Sequence, residues 1–144
     1  VQFPATQIPS ADPNALDDYE EGTFTPALVF GGAAVGMTTS LATGRYTKVG
    51  RLVNFNISIT LTAKGSSVGA ATITGLPFTA TNASGIFSPG VMLVSNVTTV
   101  AVPMYYPNST SLVLEDFTGS ARAVMTEGDF TNTTSIILTG TYSV

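Results

Sequence analysis

Histidine, cysteine and tryptophan are absent from this 144-residue chain, and charge is scarce. Without His or Cys, no Ser-His-Asp or Cys-His set can be assembled within it. Disulfides, zinc-thiolate sites and His-metal sites are excluded on the same ground. Charged residues make up 10% of the sequence, against about 25% in ordinary soluble proteins. Five Lys plus Arg stand against nine Asp plus Glu. There is thus no basic patch to release counterions from nucleic-acid phosphates, and no nucleic-acid partner is expected. Long apolar runs are missing too, although the mean hydropathy is +0.34. A membrane-spanning helix needs about 20 such residues, so no membrane insertion is expected.

What is abundant is the small hydroxyl. Thr and Ser occupy 23 and 13 positions, a quarter of the chain. The few charges are unevenly placed. Residues 1–22 hold Asp12, Asp17, Asp18, Glu20 and Glu21 and no base, a sum of −5. Residues 23–144 hold five bases and four acids, a sum of +1. The organisation read from this is an acidic N-terminal arm over 1–22 and a nearly neutral domain over 23–144. The first residue is Val rather than Met, which reads as a processed or excised piece of something longer.

In the arm, Asp12-Pro13 can open a short helix, with Asp12 as its cap and Pro13 at the first helical position. Leu16 and Tyr19 would share one face, and Gly22 could end the helix in the left-handed conformation. The acids Asp17 to Glu21 oppose this at the helix C-terminus, so at most two turns are expected.

From Thr23 onward the period is two. Val53, Phe55, Ile57, Ile59 and Leu61 alternate strictly with Asn54, Asn56, Ser58, Thr60 and Thr62, a strand with one buried face. With Arg45 to Lys48 before it and Gly50 between, residues 45–62 predict a hairpin. Further strands are expected over 23–30, 68–75, 91–94, 100–106, 111–117, 121–125 and the C-terminus. Pro26 and Pro103 point to edges or irregular starts. About eight or nine strands at this spacing predict an all-β fold, an antiparallel β-sandwich or jelly roll. The outward residues are Thr, Ser and Asn rather than Lys and Glu. Thr favours strands in its own right, but charge depletion also marks subunit interfaces, and oligomerisation is expected.

Phe3-Pro4-Ala5-Thr6-Gln7 and the run from Ser10 to Pro26 (SADPNALDDYEEGTFTP) carry a resemblance. So do Gly44 to Val53 (GRYTKVGRLV), Gly65-Ser66-Ser67, Gly75-Leu76-Pro77-Phe78 and the closing Gly140-Thr141-Tyr142. Together these segments resemble the C-terminal modules of tailed-bacteriophage tail fibres and tailspikes. The resemblance spans most of 3–78 and the last few residues, while 79–135 match no such pattern. It implies a homotrimeric module near the distal end of the fibre, located in the virion and assembled in the bacterial cytoplasm. Its implied work is trimer assembly, receptor binding, or both, and its implied partner is a bacterial surface polysaccharide.

Three groups of residues are candidates for a site. Val102 to Asn108 is the most site-like stretch. Tyr105 and Tyr106 point to opposite strand faces, so one of them is expected to be exposed. A tyrosine can stack on the C–H face of a sugar while its hydroxyl bonds the edge, and Asn108 can donate and accept. The competing reading is a core tyrosine followed by a Pro-Asn turn. The acids Asp17, Asp18, Glu20 and Glu21 lack calcium-loop spacing and lack the facing arrangement of a glycosidase pair. They read as a strap: Leu16 and Tyr19 dock, and the acids pair with Arg45, Lys48 or Arg51 of a neighbouring chain. Glu115, Asp116, Arg122, Glu127 and Asp129 either ring a groove or stand in solvated loops. No cofactor, no metal and no catalytic residue are expected. Two functional classes remain: a glycan-binding trimeric adhesin module, or a purely structural trimerisation and folding cap.

Overall fold

The computed structural model describes residues 18–82, 90–116 and 121–144. Among these the chain forms ten strands, β1 (Tyr19–Phe24), β2 (Ala27–Phe30), β3 (Thr38–Val49), β4 (Leu52–Ala63), β5 (Ala71–Thr74), β6 (Val91–Val97), β7 (Ala101–Tyr105), β8 (Ser111–Asp116), β9 (Ala123–Val124) and β10 (Phe130–Ser143). The one other element is a 3-10 turn at Glu127–Asp129. The strands make two antiparallel sheets. One has the order β1-β3-β4-β10-β6; the other has β2-β5-β8-β7, with β9 paired to β8. The all-β reading holds.

Alternation creates these elements and then buries them. The apolar set of β4 (Val53, Phe55, Ile57, Ile59, Leu61) is enclosed, together with Ile136, Leu138 and Tyr142 of β10. Leu28, Phe30, Ile73, Leu112 and Leu114 of the second sheet join the same core. Each of the larger aliphatic or aromatic side chains contributes about 1.5–3 kcal/mol by leaving water. The Phe30 and Phe130 rings meet at 5.2 Å between centroids and tie the two sheets at one end.

Turn chemistry fixes the central hairpin. Val49 pairs with Leu52 across a two-residue loop. Gly50 takes φ 55° there, as the first position of a type II′ turn requires. That turn also receives both ends of the described fold: the Gly50 N–H donates to the Asp18 carbonyl, and the Val144 N–H donates to the Arg51 carbonyl.

Pro103 behaves as expected, but the single strand expected over 23–30 is broken at Pro26, which cannot donate to a ladder. Thr25-Pro26 separates β1, an edge of the first sheet, from β2, an edge of the second. Pro103 lies in β7, also an edge. The arm does not follow the helical expectation where it is described. Residues 19–22 are strand, paired with Val49 to Tyr46 of β3, and Gly22 is mid-strand rather than a helix stop. Pairing to an open sheet edge satisfies the backbone better than a short helix with acids at its negative end. Leu16 and the proposed helix start at Asp12-Pro13 lie outside the described residues.

Candidate functional site

Tyr105 ends β7 and faces inward, 3% exposed. Its ring stacks on Tyr142 (5.7 Å, 19° between planes) and meets Phe55 edge-on. Its hydroxyl is buried without a hydrogen-bond partner among the described residues. Burial pushes its pKa well above the ordinary tyrosine range. Tyr106 turns the other way and is half-buried. Its hydroxyl donates to Glu115 Oε1 at 2.8 Å. Glu115 is itself 1% exposed and has Arg122 Nε 3.0 Å from its other oxygen. That hydrogen bond to Glu115, more than burial, raises the Tyr106 pKa. Asn108 is exposed in a left-handed turn at φ 57°, with its N–H donating to the Ala80 carbonyl.

Tyr105 and Tyr106 therefore do point to opposite faces: the Tyr105 ring is enclosed, while Tyr106 is half-buried with its hydroxyl held by Glu115. Both border a cavity of about 210 Å³ where the end of β7 meets β10 and the start of β4. Leu52, Ala80, Thr81 and Tyr142 line it with them, and Asn108 does not.

Tyr19, Arg45 and Arg51 all lie on or beside β3: Tyr19 pairs with Val49, Arg45 pairs with Thr23, and Arg51 is in the turn that follows β3. Tyr19 is on the outer face of the first sheet, and its hydroxyl donates to Glu21, which raises its pKa. Arg45 is exposed at the middle of β3, and Arg51 is exposed in the hairpin turn. The arm acid that finds a base is Asp18, in a buried ion pair with Lys48 of the same chain. The Lys48 ammonium also stands 5.6 Å from the Phe78 ring centroid, a cation–π contact. Beside it, the Tyr46 hydroxyl donates to Glu20, which pushes the tyrosine pKa up to about 12.

The most extensive surface feature is one that no single motif announces. Strand register sets the outward residues of the first sheet in rows. One row runs Glu21, Thr47, Asn54, Thr141; the next runs Thr23, Arg45, Asn56, Thr139, Val91. Asn54 Nδ2 donates to Thr141 Oγ1 at 3.1 Å, and Asn56 Nδ2 donates to Thr139 Oγ1 at 2.8 Å. A third row carries Thr43, Ser58, Ile137 and Leu93. Val91, Leu93 and Ile137 are 73%, 69% and 54% exposed and adjoin at the β6 edge. Among the described residues, the charged side chains of this face are Glu21 and Arg45. The alternation of 52–62 displays the polar half of this surface in the sequence; the register that assembles the rows does not.

Among the described residues there is no group of three or more acidic side chains able to hold a metal ion, and no helix long and apolar enough to cross a membrane. The fold and surface define an all-β domain of two antiparallel sheets with a broad, nearly uncharged outer face. No protein-family model, curated protein or solved structure matches the chain.

Proposed function

We propose that this chain is a C-terminal module of a phage tail fibre or tailspike: a β-sandwich of the jelly-roll kind behind an N-terminal arm, associating as a homotrimer and contributing to recognition of host-surface glycan. The motifs over 3–26, 44–53 and 75–78 support the family reading. The observation that carries the assembly reading is the outer face of the first sheet. Val91, Leu93 and Ile137 form an apolar edge on a surface of hydroxyls and amides, beside the edge of β6, which has no further strand partner among the described residues. An uncovered, uncharged sheet edge is an aggregation hazard that a sibling subunit removes. A threefold ring uses two different patches per contact, and the β6 edge, whose strand carries no charged side chain, meets a sibling's patch without like-charge repulsion while leaving the β1–β3–β4 part of the face open. In this reading the module has no catalytic role and works in the virion.

Light scattering tests the assembly. The chain is expected to sediment and scatter as three copies, and Leu93→Lys with Ile137→Lys to release monomers of unchanged fold. A wild-type monomer at micromolar concentration would overturn the trimer. Binding of the chain to host cells tests recognition. A structural cap without a ligand is the second reading, favoured by the enclosure of the Tyr105 ring; it predicts trimers that do not bind cells.

A further inference from the structure

We propose that the outer sheet face around Arg45 is a binding site for an acidic oligosaccharide, one bearing carboxylates, separate from the cavity beside Tyr105. The proposal rests on the glycan-recognition reading above and gives it a place and a ligand class. Two shallow hollows flank Arg45. One, of about 420 Å³, is lined by Glu21, Thr23 and Thr47; the other, of about 220 Å³, by Asn54 and Asn56. Arg45 borders both and has no ion-pair partner among the described residues.

The hollows differ in chemistry. The one over β4 holds no carboxylate. Asn54 and Asn56 each spend one N–H on a threonine of β10. That fixes the amide planes and leaves each with a second N–H and a carbonyl oxygen. A guanidinium bordering the same hollow as two amide donors is a donor set suited to a carboxylate. The hollow over β1 contains the Glu21 carboxylate, an acceptor for hydroxyl pairs that would repel an anion. A ligand carboxylate is thus directed to the β4 side and ligand hydroxyls to the β1 side. The polar rows span about 14 Å from β1 to β10 at the usual strand spacing, so the site is extended rather than a point. A protein partner is less well matched, since interface hot spots cluster Trp, Tyr and Arg in desolvated pockets, whereas Arg45 stands exposed between shallow hollows lined mainly by Thr and Asn. The exposed large apolar side chains of this face lie away from the hollows: Val91 at the far end of the Arg45 row, Leu93 and Ile137 in the next row, and Tyr19, Val49 and Leu52 beside the hairpin turn.

The full chain is applied to an array of neutral and uronate-containing oligosaccharides, the latter also in carboxyl-reduced form. Binding is expected for uronate members, with at least about tenfold loss on carboxyl reduction and on Arg45→Gln. Asn54→Ala with Asn56→Ala is expected to weaken the same members. Arg45→Gln is expected to leave mass and thermal midpoint unchanged. An array with no binders, binders that are neutral, affinity indifferent to Arg45→Gln, or conversion of that variant to monomer would each overturn the proposal. Host-cell binding that survives Arg45→Gln sinks this site alone; wild-type chain that fails to bind cells sinks the recognition reading itself.

Discussion

Gly140 faces Phe55 across the β10–β4 ladder, and its missing side chain is what admits Tyr105 to the core. A Cβ placed there would lie 2.0 Å from the Tyr105 hydroxyl. Gly140→Ala is therefore expected to destabilise by about 1–3 kcal/mol through overpacking. Tyr105→Phe removes a buried hydroxyl that has no described partner, so its cost is expected within about 1 kcal/mol of zero. The double variant is expected to recover part of the alanine penalty, a coupling that urea unfolding of all four proteins measures. Strictly additive effects would mean that the two residues do not share that space. At this scale the sequence was half legible. Alternation separated Tyr105 from Tyr106, but which of them turned inward depended on β7 facing β10 across the core, a pairing of sheets that local spacing does not contain.

Tyrosine hydroxyls also fasten one element to another. Tyr142 of β10 donates to the Phe78 carbonyl and accepts from the Phe78 N–H, anchoring the 76–80 segment. Burial pushes its pKa up to about 12, while the Glu20 hydrogen bond does the same for Tyr46 between β3 and β1. Both folded values exceed the unfolded tyrosine value of about 10. The unfolded chain thus gives up protons first as pH rises. The stability linked to these hydroxyls is complete below about pH 10 and is lost as pH climbs toward about 12. Urea midpoints across pH 9–12 are expected to fall, and Tyr142→Phe to flatten the fall while costing about 1–2 kcal/mol at neutral pH. A slope unchanged in that variant would exclude Tyr142 from the linkage. An element boundary was readable where punctuation was strong, as at Gly50; at Pro26 the alternation of 23–30 hid the switch from one sheet to the other. The 19–22 segment misled because its acids and glycine fit a helix end locally, whereas the free edge of β3 is a distant feature.

Across the whole molecule, scarcity of charge makes two associations respond differently to salt. In the proposed trimer, contact at the uncharged β6 edge carries little Coulombic energy, so the trimer mass is expected to persist from 0.05 to 1 M NaCl. Binding of a carboxylated glycan at exposed Arg45 is screened, because the Debye length shrinks to about 3 Å at 1 M. Light scattering and glycan titration over one salt series check both. A trimer that dissociates at high salt would point to charged contacts and away from the Val91–Leu93–Ile137 edge. Fold class was legible from period and turn residues alone. Strand order was not: β10 inserts between β4 and β6, and alternation states which face is wet without naming the neighbour.

The β3–β4 turn holds Asp18 through Gly50 and Val144 through Arg51. The two extremities of the described fold are therefore moored to one spot. A short Gly-Ser splice joining them, with new termini opened in the exposed 64–69 connection, is a circular permutant that this geometry favours. For a fibre module as proposed, the same mooring means that a pull entering at Asp18 meets the central hairpin first at its turn, before it is shared along the β1–β3 ladder.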